Sequence, residues 1–351
     1  MAFLDQVLDP PSYGYLRNQK LYVPTKSEIF REFFSRINIF QTRKNWLPLF
    51  GWLVVLFFAP FFFLFFFRYF SWPLFLAGFI YSMVIMGTHG TVYLHRFSTH
   101  HAFTFKNRFW LFILRNLVVK TIPEETYVVS HHVHHYISEK PGDPYNVYGG
   151  WLYCFLADVN HQSIAKNFSR ADYHKTAALV SHTGMGLNSY EQYQTWGTIA
   201  HPVRTFFQFA LNWAFWFGAC YLIGGMPLAV AIFAWSGVWA VGVRTFNFDG
   251  HGGGKDKRKE GIDFNRADLS INQLWPGLVT GEWHNNHHLY PNGVRAGFLP
   301  YQWDYAWLFI KVYRSLGAIE NLRDYKEHFY TRYYEPYLKQ KSLAEIQRST
   351  A

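Results

Sequence analysis

The sequence predicts an all-α integral membrane protein, with four transmembrane helices in two hairpins that carry a cytoplasmic helical domain. Three observations predict it: long uncharged apolar runs, tight connections that pair them, and basic residues confined to the remaining segments. Half of the 351 residues are apolar, 21% are aromatic and only 16% are charged, against roughly 25% charged in an ordinary soluble domain. The apolar residues also come in blocks, which is the patterning of a bilayer protein.

Trp46 to Phe67 runs without a charge and is Phe-dominated from Phe57 onward, long enough for the roughly 20 residues that span a bilayer core. Arg68 and Ser71-Trp72-Pro73 break it, and a second run from Leu74 to Leu94 follows at once. So short a connection makes a helical hairpin. Phe109 to Val119 is apolar but short and contains Arg115, so it reads as an interfacial or buried helix. Phe206 to Ile223 is the third span, Gly224-Gly225 and Pro227 its turn, and Leu228 to Val243, extending toward Phe246, the fourth. The expected segments are 1–45 (N-terminal, cytoplasmic), 46–94 (first hairpin), 95–202 (cytoplasmic), 203–246 (second hairpin) and 247–351 (cytoplasmic).

Orientation follows from charge. The two hairpin tips carry only Arg68, while nearly every other Lys and Arg lies in the termini and the central segment. The positive-inside rule places those segments in the cytoplasm. Residues 1–45 lack the apolar core of a signal peptide, and a bacterial inner membrane is favoured over endoplasmic reticulum. The net charge of +10 comes with no nucleic-acid recognition motif, so it suits anionic headgroups or an acidic partner instead. Cys154 and Cys220 are too far apart in sequence to suggest a disulfide framework or a thiolate metal site.

Three stretches concentrate histidine. They are His95-Arg96-Phe97-Ser98-Thr99-His100, His131-His132-Val133-His134-His135 and His284-Asn285-Asn286-His287-His288. A lone histidine near a membrane is usually a hydrogen-bonded structural residue, but 17 in the whole chain make four within five positions a poor product of chance. The second and third stretches share H-x-x-H-H, and on a helix such positions fall within about 100° of arc, so three imidazoles converge on one face. Converging neutral imidazoles suit a first-row transition metal, with zinc, copper, iron and nickel all chemically admissible. His132 points about a quarter-turn away. His95 and His100 lie well apart around an ideal helix, so they must meet a metal through a helix end or reach different metals, and geometry leaves His100 and His101 as alternatives. The eight histidines of the three boxes exceed one tetrahedral zinc site. The chain has no pair of Glu-x-x-His motifs, which excludes the carboxylate-bridged centre of ferritin-like bundles. Two metals are implied, and a paired-iron centre that activates O₂ is the natural use of such a site beside a membrane. The predicted cytoplasmic domain therefore holds a histidine-ligated dimetal site.

The order H-x(4)-H, H-x-x-H-H, H-x-x-H-H, with its two hairpins, resembles the membrane fatty acyl desaturases of the stearoyl-CoA desaturase type, from about the first span to Pro291. Gly142-Asp143-Pro144-Tyr145-Asn146 is similar to that family's D-P-x-N segment. Gly281-Glu282 before the third box and Tyr290-Pro291 after it are similar to its G-E…H-N-x-H-H-x-x-P signature. Asn247-Phe248-Asp249-Gly250-His251 has the spacing and position of a further Asn and His that complete the family's metal shell. The resemblance implies a ligand set of His95, His100, His131, His134, His135, His251, His284, His287 and His288, with Asn247 reaching one metal through a water, and two Fe²⁺ ions as cofactor. Glu282-Trp283-His284 departs from the additional residue the family often has there, and His89, His101 and His132 are extra. Asp143, Asp249 and Glu282 are candidates to hold imidazole N–H groups, because ligating rings usually donate to an acceptor.

The implied activity is O₂-dependent formation of a cis double bond in a long acyl chain, as acyl-CoA or acyl-lipid. An apolar tunnel would bend and position that chain, with Trp151, Tyr153 and Phe155 either lining it or serving as interfacial aromatics. The chain has no flavin, haem or iron–sulfur motif, so electrons must come from an external donor of ferredoxin or cytochrome b5 type with its reductase. Membrane lipid is the other partner, and Lys106, Arg108, Arg115 and Lys120 are cations for CoA phosphates or lipid headgroups. The same boxes also suit a fatty acid hydroxylase, an acetylenase or an oxidative decarboxylase forming a terminal alkene. A metal transporter fits poorly, since only His89 lies within a predicted span.

Overall fold

The computed structural model describes residues 3–157, 163–273 and 283–350. Its principal helices are α1 (Arg43–Tyr69), α2 (Trp72–Thr99), α3 (Glu124–Ile137), α4 (Pro202–Gly242), α5 (Phe246–Gly250) and α6 (His284–Leu289). The only strand pairs among the described residues are two-residue ladders, Leu16–Arg17 with Lys20–Leu21 and Thr104–Phe105 with Ile319–Glu320. Three helical stretches are long and apolar enough to cross a membrane: α1, α2 and Pro202–Gly250.

The first hairpin closes at Ser71, whose hydroxyl accepts from Leu74 N–H while Pro73 fills the first turn of α2. This is the helix-start chemistry expected of that sequence. The long third stretch is not straight. Gly224 and Gly225 leave helical geometry, and Gly225 adopts φ +67°, a conformation open to glycine. Phe217 and Phe233 meet edge to face with ring centroids 5.4 Å apart, whereas 16 residues of continuous helix would separate them by ~24 Å. The chain therefore folds back at the two glycines, and α4 is two antiparallel limbs.

Aromatic rings and missing side chains hold the bundle together. Phe57 of α1 lies flat on Trp213 of the first α4 limb, centroids 4.1 Å apart. A Cβ on Gly78 would stand 1.9 Å from Trp235, and one on Gly237 2.6 Å from Phe58. Small residues are what let helices approach this closely without a hydrophobic gradient between them. The outer face stays apolar, with Phe67, Leu211, Leu222 and Ile223 among the exposed side chains.

Two expectations change. The helix of the second apolar run does not end at Leu94. α2 continues as one helix to Thr99, its last ten residues wound as a π-helix. The apolar stretch from Phe109 is helical only as Arg108–Arg115, with Phe109 and Phe112 exposed. The following segment is clamped among the long helices, where Val119 N–H donates to Tyr81 Oη and Lys120 N–H to Asn212 Oδ1. Arg115 and Lys120, expected to meet CoA phosphates or lipid headgroups, are each only 9% exposed and face Glu124. Their ion pairs let these charges leave water.

Candidate metal centre

The π-turn at the end of α2 decides where the first box points. In an α-helix His95 and His100 would stand roughly 140° apart. Here His100 N–H donates to His95 C=O, five residues back, and that i→i+5 closure stacks the two positions. Their rings lie 4.9 Å apart. Both join the same cluster, and His101 turns away with φ +50° to stack on His182.

The H-x-x-H-H boxes are each divided. One cluster contains His95, His100, His131, His135 and His287, the other His134, His251, His284 and His288, with one nitrogen from each ring within 4.8 Å of the others in its cluster. The spacing explains the division. On a helix the i and i+4 rings are 40° apart and i+3 lies on the far side of i. α3 therefore gives His131 and His135 to the first cluster and His134 to the second. α6 gives His284 and His288 to the second and His287 to the first. Two boxes of this form facing each other build two adjacent centres, and rings of the two clusters touch, His135 and His288 being 4.4 Å apart.

The nitrogens are arranged as donors to a cation. In the first cluster Nε2 atoms crowd one another, His95 to His131 at 2.7 Å, His131 to His135 at 3.1 Å and His135 to His287 at 2.9 Å. In the second, the buried Nε2 atoms of His134, His251, His284 and His288 have no hydrogen-bond partner, and neither has His100 Nε2. Orphaned buried nitrogens in such number are costly unless an ion completes them. Burial, reinforced by neighbouring imidazoles, holds His131, His135, His284 and His287 well below the usual histidine range, so their lone pairs are available. The residues present fit two imidazole-bound metals.

Carboxylates stand behind three of the rings. His134 Nδ1 meets Asp143 Oδ1 at 2.9 Å, His251 Nδ1 meets Glu139 Oε1 at 2.8 Å, and His288 Nδ1 meets Asp268 Oδ2 at 2.7 Å. An Nδ1–H donated outward fixes the tautomer and aims the Nε2 lone pair inward. Burial alone would lower His134, but the Asp143 charge overcomes it and the ring is raised. Of the three carboxylates proposed from sequence, Asp143 meets a ligand-candidate ring. Asp249 is exposed and bonds no imidazole among the described residues, and Glu282 lies outside them. Glu139 and Asp268 were not anticipated. Asn247 sits one turn before His251, and its buried Oδ1 has no partner. His132 belongs to neither cluster, and burial lowers it to about 4.

Three cavities lie in series beside these clusters. The first is bounded by Leu47, Pro48, Phe155, Tyr127, Val243 and Asn247. The second, sharing Tyr127 and Val243, reaches His95, Leu94 and Phe246. The third shares Gly90, Leu94 and Trp239 with the second and ends at His89 and Lys120. Phe155 lines the first cavity, whereas Trp151 is 46% exposed and Tyr153 packs against the Asp143 loop.

The family model described as fatty acid desaturase matches residues 70–311. An icosanoyl-CoA 5-desaturase of Limnanthes douglasii is 25% identical over 271 residues, covering 73% of this chain and 67% of that protein. An acyl-CoA C20 Delta5-desaturase of Anemone leveillei is 27% identical over 262 residues, or 72% and 75% of the two chains. An sn-1 stearoyl-lipid 9-desaturase of Synechocystis sp. is 24% identical over 345 residues, or 90% and 96%.

Proposed function

This chain belongs to the fatty acid desaturase family, and on that premise we propose that it is an O₂-dependent desaturase using two iron ions to introduce a cis double bond into a long acyl chain. The observation that carries the reading is the pair of imidazole clusters, five and four rings, set against a series of largely apolar cavities. Bound iron would supply the redox capacity to use O₂ against an unactivated methylene. His95, His100, His131, His135 and His287 would hold one ion, and His134, His251, His284 and His288 the other, with Asn247 beside it.

The rest is done by this chain's own groups. Asp143, Glu139 and Asp268 keep the imidazoles of His134, His251 and His288 in the Nε2-inward tautomer. Leu94, Val243 and Phe246 give the acyl chain an apolar wall beside His95 and keep water from it. Electrons would come from a ferredoxin or cytochrome b5 type donor. The two hairpins would make four membrane crossings, with both termini and the histidine clusters on the cytoplasmic side of a bacterial inner membrane. The segment division at 45, 94, 202 and 246 is part of this proposal, with the second crossing prolonged into the first histidine box.

Expression in a desaturase-deficient host, with gas chromatography and mass spectrometry of total fatty acids, tests the reading against a His134→Ala control. A new cis double bond that the control lacks supports it. A hydroxyl group or a terminal alkene in its place would reassign the outcome of oxidation. Two zinc ions in native protein would end the redox proposal.

A further inference from the structure

A turn without side chains lies between His251 and the surface. His251 is followed by Gly252-Gly253-Gly254, and all three glycines take φ between +66° and +77°. The turn is tight enough for Gly254 N–H to donate to His251 C=O at 3.3 Å. A Cβ on Gly252 would stand 2.3 Å from Lys255 C=O, and one on Gly254 3.3 Å from Val147 C=O. Only glycine fits there, so no side chain of this turn covers the ring. Gly252 is buried, Gly253 and Gly254 are half-buried, and Lys255 is exposed. The surface is reached within four residues of a ligand-candidate histidine.

Beyond the glycines the chain reads Lys255-Asp256-Lys257-Arg258-Lys259-Glu260. Arg258 serves the loop itself. Its Nε and Nη2 grip Asp256 at 2.9 and 2.6 Å, and its Nη1 donates to Arg266 C=O at 3.1 Å and Asp268 C=O at 2.8 Å. Asp268 is the carboxylate that holds His288, so the loop is fastened to the four-ring cluster. Lys255, Lys257 and Lys259 are exposed and form no ion pair among the described residues. With Asp256 taken by Arg258, Glu260 is the one anion left in 255–260 against these three lysines. Exposed Lys140 and Arg266 widen the patch. Lys140 follows Glu139, which bonds His251 and Leu269 N–H, and Arg266 is held by Arg258.

We propose that Lys255, Lys257 and Lys259, flanked by Lys140 and Arg266, are the docking face for a small acidic one-electron carrier on the side of the four-ring cluster. The proposal rests on the reading of the centre as an O₂-dependent desaturase whose reductant comes from outside. For each double bond, O₂ gains four electrons and four protons to become two waters. The two C–H bonds that break supply two of each. The other two electrons come from two carriers, each oxidised by one electron, and the other two protons from solvent. Two carriers must therefore visit and leave this face in every turnover. Encounters of that kind are small and steered by charge. A membrane-binding loop would interleave aromatic or aliphatic anchors with its lysines, and 252–260 has none.

The test is stopped-flow oxidation of reduced plant-type ferredoxin, an acidic one-electron carrier, by the oxidised, metal-loaded protein in zwitterionic nanodiscs under argon. The wild-type rate should fall steeply with ionic strength. Lys255→Glu/Lys257→Glu should slow it about tenfold at low salt, and Lys255→Gln/Lys257→Gln by less. Lys311→Glu/Arg314→Glu makes the same change of net charge at exposed positions elsewhere and should leave the rate within about twofold. Reduction by dithionite, which needs no docking, should stay within about twofold in every variant and reports intact metals. Ferredoxin oxidation indifferent to salt and to the lysine substitutions overturns the proposal, as does an equal loss in the Lys311/Arg314 pair. If those lysines govern binding of CoA or of anionic nanodiscs while ferredoxin oxidation is unchanged, they meet phosphate and the proposal falls. Lysine-dependent ferredoxin oxidation without a double bond from any acyl donor would uphold the docking face while removing the desaturase reading. A double bond formed with ferredoxin at an undiminished rate by Lys255→Glu/Lys257→Glu would do the reverse.

Discussion

The two imidazole clusters differ in what stands behind them. In the four-histidine cluster, three of the rings donate Nδ1–H to a carboxylate, from Asp143, Glu139 or Asp268. In the five-histidine cluster, no carboxylate bonds His100, His131 or His135 among the described residues, and the close contacts are between imidazoles. A ring backed by a carboxylate is more basic and better fixed. The cluster with fewer rings is thus the one whose rings are individually strengthened, and it is also the one beside the unpartnered Asn247. The difference teaches that two metals held by one set of boxes need not be equivalent.

The largest expected effects come from the rings themselves. His131→Ala and His134→Ala remove neighbours on α3 that serve opposite clusters. Each should abolish product formation, and elemental analysis should show one metal lost or depleted first: that of the five-ring cluster for His131, and that of the four-ring cluster for His134. Mössbauer spectra of ⁵⁷Fe-loaded protein can tell the two sites apart. Identical spectra for the two variants would mean the clusters act as a single unit, and the comparison would break.

Next come the carboxylates. Asp143→Asn, Glu139→Gln and Asp268→Asn should each lower metal affinity or activity about 10- to 100-fold, with the loss confined to the site bound by His134, His251 and His288. Chelator competition that strips both metals at equal rates would contradict this. A smaller, steric effect is expected at Gly250, where a Cβ would lie 2.8 Å from His284 Cδ2. Gly250→Ala should displace that ring and weaken the four-ring site a few-fold, leaving the five-ring site unchanged.

What the sequence made legible was local. Ser71-Trp72-Pro73 and Gly224-Gly225 mark the hairpin turns through their own chain chemistry, and H-x-x-H-H states its convergence in its spacing. Asp143 was within reach of the argument because it follows His134 by nine residues. Glu139 lies 112 residues from His251 and Asp268 20 from His288, both in irregular chain. Glu139 even adopts φ +62°, and no periodicity announces such a partner. The π-turn was hidden for a different reason. Nothing in Gly90-Thr91-Val92-Tyr93-Leu94 distinguishes i→i+5 from i→i+4 bonding, so His95 and His100 read as divergent. Lys120 and Arg115 read as cations for CoA phosphates or lipid headgroups because their counter-ion, Glu124, becomes a neighbour only when the segment folds inward.

The smallest effect on the metals should come from Glu125, a carboxylate on α3 that is as buried as the three above but serves no imidazole. It is 2% exposed and accepts from Ala200 N–H at 2.6 Å. Burial, only partly offset by backbone N–H groups of Ala200 and Ile199, raises it to about 7 from a usual value of 4.5. The folded protein therefore holds this proton more tightly than the unfolded chain does. Its contribution to stability is fully present below pH 4.5 and is lost as pH rises through about 7, on the order of 3 kcal/mol in all. Glu125→Gln keeps the acceptor for Ala200 and cannot ionise. Thermal unfolding of the detergent-solubilised protein should then show wild type losing several degrees relative to the variant between pH 5 and pH 8.5, with metal content the same in both. Parallel pH profiles would show that Glu125 does not ionise in the folded protein. A change in metal content would show instead that α3 transmits strain from its first turn to His131, and that the carboxylates bonded to imidazoles are not the only ones the clusters depend on.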